Sequence, residues 1–226
     1  MEHLSVPRPP VLIAVLALFA SAACAEPSSL VAYDSATLRL LATADPVRGE
    51  ELAGKCSKCH GEKGVSDDPV DINIAGLRAS YIYKQLRDYK DGKRVSKEMI
   101  RRVRVLDDQQ MADLAVWFAS LEPAQPAPDR NADPEILQLI RDGDPQRMIK
   151  ACNSCHGPDN RGGQFDNPSL VGQHAEYVVT TLTEFRDGDR TNDIYSRMRT
   201  IAEVLSDAEI EALAAYFAPA LPQETP

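Results

Sequence analysis

Cys56-Ser57-Lys58-Cys59-His60 and Cys152-Asn153-Ser154-Cys155-His156 are two copies of one pentapeptide, Cys-x-x-Cys-His. Two thiols at this spacing can each bond one vinyl group of a porphyrin, and the histidine that follows falls beneath the iron. The chain holds five cysteines and four histidines, and the two copies use four and two of them. The motif therefore predicts two covalently bound haem c groups, on Cys56 and Cys59 and on Cys152 and Cys155, with His60 and His156 as axial iron ligands. A zinc site made from the same residue types is a distant alternative, because an export signal precedes the motifs.

Around the motifs the chain repeats itself. Gly76, Tyr81, Leu86 and Asp91-Gly92 recur 96 residues later as Gly172, Tyr177, Leu182 and Asp187-Gly188. The offset then becomes 99, pairing Met99 with Met198, Leu106 with Leu205, Leu114 with Leu213 and Trp117 with Tyr216. A three-residue insertion within Asp189–Tyr195 accounts for the shift. This is a duplicated module, so the expected organisation is a first domain over 26–122, a connector over 123–134 and a second domain over 135–226. Three prolines between Leu121 and Pro128 stop the preceding helix and favour an extended, semi-rigid connector. Each module is small for an independent apolar core, and a buried haem would supply the missing surface.

The periodicity is helical throughout. Tyr81–Tyr89 reads as a helix with one buried face. Ser206-Asp207-Ala208-Glu209 is a capping box opening a helix over Ile210–Ala218, and Asp107-Asp108-Gln109-Gln110 does the same before Met111–Ala119. No stretch alternates with a period of two, so the fold class is all-α, with two tandem haem-binding domains.

Val11–Ala20 is a ten-residue apolar run ahead of Ala23-Cys24-Ala25. That is the length and ending of a secretory signal, too short to span a bilayer, with cleavage expected after Ala25. The competing reading lipidates Cys24 and tethers the protein to a membrane, but Ser21-Ala22-Ala23 lacks the usual leucine. The expected location is the periplasm. Residues 26–122 carry 15 Lys+Arg against 16 Asp+Glu, whereas 123–226 carry 9 against 17. An acidic second half argues against nucleic acid and suits docking onto other proteins. Residues 84–104 hold nine bases against three acids around Met99. Such a positive field would stabilise reduced iron, giving the first haem the higher potential.

Each iron needs a sixth ligand, and its identity separates electron transfer from catalysis. Met99 and Met198 occupy matching places after Gly92-Lys93-Arg94 and Gly188-Asp189-Arg190, and are the expected axial ligands, each on a loop. Met111 and Met148 have no methionine counterpart and read as core filler. His174 has no histidine partner and reads as a helix-start or propionate-side residue.

The order export signal, Cys-x-x-Cys-His, Asp-Gly-Lys-Arg, Met99, Leu-Asp-Asp and a second round resembles the dihaem cytochrome c4 family. Leu170–Tyr177 and Phe185–Asp193 carry much of that family's signature. The resemblance implies two class I cytochrome c folds side by side and His/Met ligation at both irons. It also implies a non-catalytic electron carrier between a respiratory donor complex and a terminal oxidase or reductase. The second half has Pro168, whose carbonyl in the family accepts a bond from the proximal histidine. The first half has Ile72 there, and Leu77 replaces Gln173. Related two-module cytochromes also serve as the electron-accepting subunit of a flavin-containing sulfide dehydrogenase. A dihaem peroxidase or sensor is a third reading, which needs an open iron and is opposed by the paired Met99 and Met198.

Overall fold

The computed structural model describes residues 34–125, 133–164 and 166–218. The proposed signal, Cys24 and most of the proline-rich connector lie outside the described residues. Among the described residues there are eleven α-helices and no strand. The first six are α1 (Ser35–Ala42), α2 (Pro46–Ala53), α3 (Ser57–His60), α4 (Ala79–Lys90), α5 (Lys97–Val103) and α6 (Asp108–Ser120). After the connector come α7 (Pro134–Arg141), α8 (Cys152–His156), α9 (Ala175–Asp187), α10 (Arg197–Ala202) and α11 (Asp207–Phe217).

The helix starts follow from local chemistry. Asp45 and Asp133 cap α2 and α7 with their carboxylates, and a proline occupies the first helical position of each. Asp107 with Gln110 and Ser206 with Glu209 close complete capping boxes at α6 and α11. The boxes thus begin these helices at Asp108 and Asp207, earlier than the apolar runs at Met111 and Ile210.

Two apolar cores form. One gathers Tyr81, Tyr83, Met111, Leu114, Trp117 and Phe118. The other gathers Ile136, Leu182, Leu205, Ile210, Leu213 and Phe217. The repeat extends to single hydrogen bonds. The Gly76 N–H donates to the Phe118 carbonyl at 2.9 Å, and the Gly172 N–H to the Phe217 carbonyl at 2.8 Å.

The repeat fails ahead of the second motif. In the first module α2 runs almost to Cys56. In the second, α7 ends well before Cys152, and a tight turn bridging Asp144 and Ile149 fills the gap. Met148 sits in that turn with φ 57° and is 82% exposed, so it is not core filler. The 96-residue register, which would set Met148 opposite Leu52, breaks here. Met111, at 0% exposure, is core.

The modules meet across a polar seam. Asn73 and Gln173 are both buried and bond reciprocally: the Asn73 N–H donates to Gln173 Oε1 at 3.1 Å, and Gln173 Nε2 donates back to the Asn73 carbonyl. Asn73 Nδ2 also donates to the Gly172 carbonyl at 2.8 Å. Helix α4 is buried on two sides, because its Lys84 and Asp88 face the second module. Lys84 Nζ donates to Asp88 and, at 2.6 Å, to the Asn192 carbonyl, while Asn192 Nδ2 donates to Asp88 at 2.7 Å. The start of the connector is wedged into the same seam. A Cβ on Gly76 would lie 2.7 Å from Pro123 Cβ, and one on Gly172 would lie 2.2 Å from the Ala124 carbonyl oxygen.

Candidate functional site: two Cys-x-x-Cys-His centres

Each motif is a single turn of helix ending on a buried histidine, α3 on His60 and α8 on His156. The next residue must reverse the chain. Gly61 does so at φ 70°, where a Cβ would fall 1.9 Å from the Val65 carbonyl oxygen. The reversed loop returns a carbonyl to the ring. His60 Nδ1 lies 3.0 Å from the Ile72 oxygen and His156 Nδ1 2.8 Å from the Pro168 oxygen. A carbonyl only accepts, so Nδ1 carries the proton in both rings and Nε2 keeps the lone pair that binds a metal. The loss of proline at Ile72 therefore leaves this bond intact. Burial pushes His156 below the usual imidazole range, against the opposing Pro168 carbonyl.

The second centre is an open cleft that brings together Cys152, Cys155, His156 and Met198. Leu170, Val178, Leu182, Phe185, Ile201 and Leu205 give it apolar walls. Burial pushes the Cys152 thiol up to about 11. Tyr81, Lys84 and Gln85 of the first module also line it, so the cleft opens onto the seam. In the first centre burial raises the Cys56 thiol against the field of Arg102, and Cys59 is raised by burial and by Asp71 and Glu98. Glu98 and Arg102 flank Met99 on α5, which puts that helix beside the motif. Thiols, a tautomerically fixed imidazole, apolar walls and a thioether form a donor set suited to haem.

Met99 and Met198 are both half-buried. They stand in the first turns of α5 and α10, not on loops. Ser96 Oγ caps α5 by accepting the Met99 N–H at 3.4 Å. Helix α10 is entered through Tyr195 and Ser196, both left-handed at φ 59° and φ 56°. The three-residue insertion ends in this entry.

His174 starts α9, and its Nε2 lies 3.0 Å from the Ser66 carbonyl across the seam. Sequence reasoning missed Arg94, Tyr177 and Arg190, which meet in the seam. Arg94 donates to Gln85 at 2.9 Å and to the Tyr177 hydroxyl at 3.3 Å, and Arg190 donates to Gln85 and Asn192. Burial raises Tyr177, but Arg94 and Arg190 outweigh it and bring the phenol down to about 8. The recurrence of Gly-x-Arg in both halves was the available signal for the two arginines.

An all-α duplicated fold with two such centres defines a dihaem c-type cytochrome. The comparisons with known proteins agree. Residues 129–217 match the family model described as cytochrome c oxidase, cbb3-type, subunit III. Cytochrome c4 of Pseudomonas aeruginosa is 39% identical over 177 residues, 77% of this chain and 88% of that one. Cytochrome c4 of Thiocapsa roseopersicina is 40% identical over 179 residues, 76% and 91%. A thiosulfate dehydrogenase electron acceptor of Thiomonas intermedia is 34% identical over 170 residues, 74% and 78%. Among solved structures, reduced cytochrome c4 from Pseudomonas stutzeri superposes with a TM-score of 0.70 at 35% identity, covering 77% of this chain and 98% of that one. A thiosulfate dehydrogenase from Marichromatium purpuratum gives 0.68 at 29% identity, covering 76% of this chain and 40% of that one. The chain belongs to the cytochrome c4 family; it is an electron-transfer protein whose cofactors are two covalently bound haem c groups.

Proposed function

We propose that the protein is an exported, periplasmic carrier passing single electrons between respiratory redox partners, with one haem in each of the modules 26–122 and 135–226. Cys56 and Cys59 hold one haem and Cys152 and Cys155 the other, with His60 and Met99, and His156 and Met198, as axial ligands. When bound, each haem iron supplies a one-electron couple. The observation that carries the reading is the convergence of Cys152, Cys155, His156 and Met198 on one cleft, with the imidazole held by the Pro168 carbonyl. These residues do no acid–base work. They fix the imidazole lone pair, exclude water with apolar walls and fill the sixth position so that no substrate can take it. The apolar run before Ala25 supports export.

The optical spectrum of the purified protein, oxidised and reduced, with haem counted per chain, tests this. Two low-spin haems with the weak far-red band of methionine ligation are expected. A high-spin haem, or rapid carbon monoxide binding at one iron, overturns it in favour of catalysis or sensing. The Thiomonas intermedia relative favours a second reading, an electron-accepting subunit of a dehydrogenase. Co-purification with such an enzyme from its native host would support that assignment.

A further inference from the structure

The duplication supplies an internal control for what surrounds each centre. Helix α5 turns one face inward with Met99 and the buried Val103. On the opposite side Lys97 and Arg101 of α5, and Arg104 and Val105 in the turn that follows it, are all exposed. Val105 is 66% exposed, and among the described residues Lys97 and Arg104 enter no ion pair. Arg101 shares Glu98 with Arg102, so one carboxylate serves two guanidiniums. From Lys97 to Val105 four bases meet one acid.

The matching stretch of the second module is built the other way. Lys97, Arg101 and Arg104 become Ser196, Thr200 and Glu203, while Val105 stays valine as Val204. Its two bases are tied down, Arg197 to Asp166 at 2.9 Å and Arg199 to Asp193 at 2.8 Å. The apolar spot is thus kept in both modules, and the basic face exists in one.

Resting on the carrier reading above, we infer that the outer face of α5 is the docking port for an acidic redox protein, which exchanges its electron with the first module. A like-charged partner of the acidic second half would be repelled there. An exposed apolar residue with basic neighbours fits brief, steered contact, since charge raises the encounter rate without locking the complex.

The probe is hexacyanoferrate(III), an anion that takes one electron from reduced iron and becomes hexacyanoferrate(II). Haem-loaded, reduced protein is mixed with it in a stopped-flow instrument. At low ionic strength K97E/R101E/R104E should slow the second-order rate about tenfold, and the gap should close as salt shortens the Debye length to about 3 Å. The control R141E/K150E/R161E makes the same charge change on exposed residues of the second module and should slow it less than about threefold. K97Q/R101Q/R104Q should fall between wild type and the reversed variant, which keeps the test decisive if the latter fails to fold. Equal slowing by the two reversed variants, or none on α5, overturns the port. Such a result with spectra still low-spin sinks the port alone, whereas carbon monoxide binding by the wild type sinks the carrier reading.

Discussion

At His60 the carbonyl that fixes the imidazole belongs to Ile72, and the bond is only 0.2 Å longer than the one Pro168 makes to His156. The acceptor is backbone, so the side chain that carries it matters less than the loop that returns it. The opposite holds for the sixth ligand, where only the side chain offers a donor. Met99→Ala and Met198→Ala should therefore each open one iron, binding about one carbon monoxide per chain with the other haem left low-spin. A variant that binds none removes that methionine from the ligand set. Cys-x-x-Cys-His is legible because covalent attachment demands two thiols at fixed spacing, and the paired methionines stand out by their recurrence at one offset. Met148 departs from the core-filler expectation because the repeat breaks ahead of the second motif. Nothing in its own side chain signals that it sits at φ 57° in a turn.

Capped helices were readable to within a turn, because caps are local chemistry. The capping box at α11 also joins a wider contact, since Arg147, in the turn between Asp144 and Ile149, reaches Glu209 at 2.7 Å. Arg147, with Ser206, holds the Glu209 carboxyl down at about 2 against its ordinary 4.5. The native state thus binds the proton less readily than the unfolded chain, so the contribution is full above about pH 4.5 and fades as pH falls toward 2. Glu209→Gln should flatten the acid limb of the stability profile in that window, at a cost near neutrality of about 1 kcal/mol. Denaturant unfolding between pH 3 and 6 reads this, and an unchanged acid limb refutes it. Between Lys84 and Arg104 the count of nine bases shrinks once paired, with Lys84 on Asp88, Arg87 on Asp91 and Asp108, and Arg101 and Arg102 on Glu98. The free remainder is still positive, so the first module's haem is expected to reduce at the higher potential. Potentiometric titration in which the Cys152/Cys155 haem reduces first refutes that order.

Across the whole molecule, the duplication was plain in the spacing, but the seam was not. Lys84 and Asp88 read as ordinary surface charges of an amphipathic helix until a second body covers them, and no local pattern announces that cover. Both are now 1% exposed, and burial lowers Lys84 despite the neighbouring carboxylate. Removing one partner strands the other, so Lys84→Met should cost about 3–5 kcal/mol in denaturant unfolding, whereas K84M/D88L should recover much of it. A single variant as stable as wild type would show that the seam opens freely. The connector was expected to be a semi-rigid spacer, yet its first residues, Pro123 and Ala124, fill the space left by Gly76 and Gly172. Among the described residues, two neighbouring positions of the connector thus touch the same turn of both copies and tie the halves together there. Passage of an electron from one iron to the other then waits on no rocking of the halves, and its rate should be indifferent to the viscosity of the solvent.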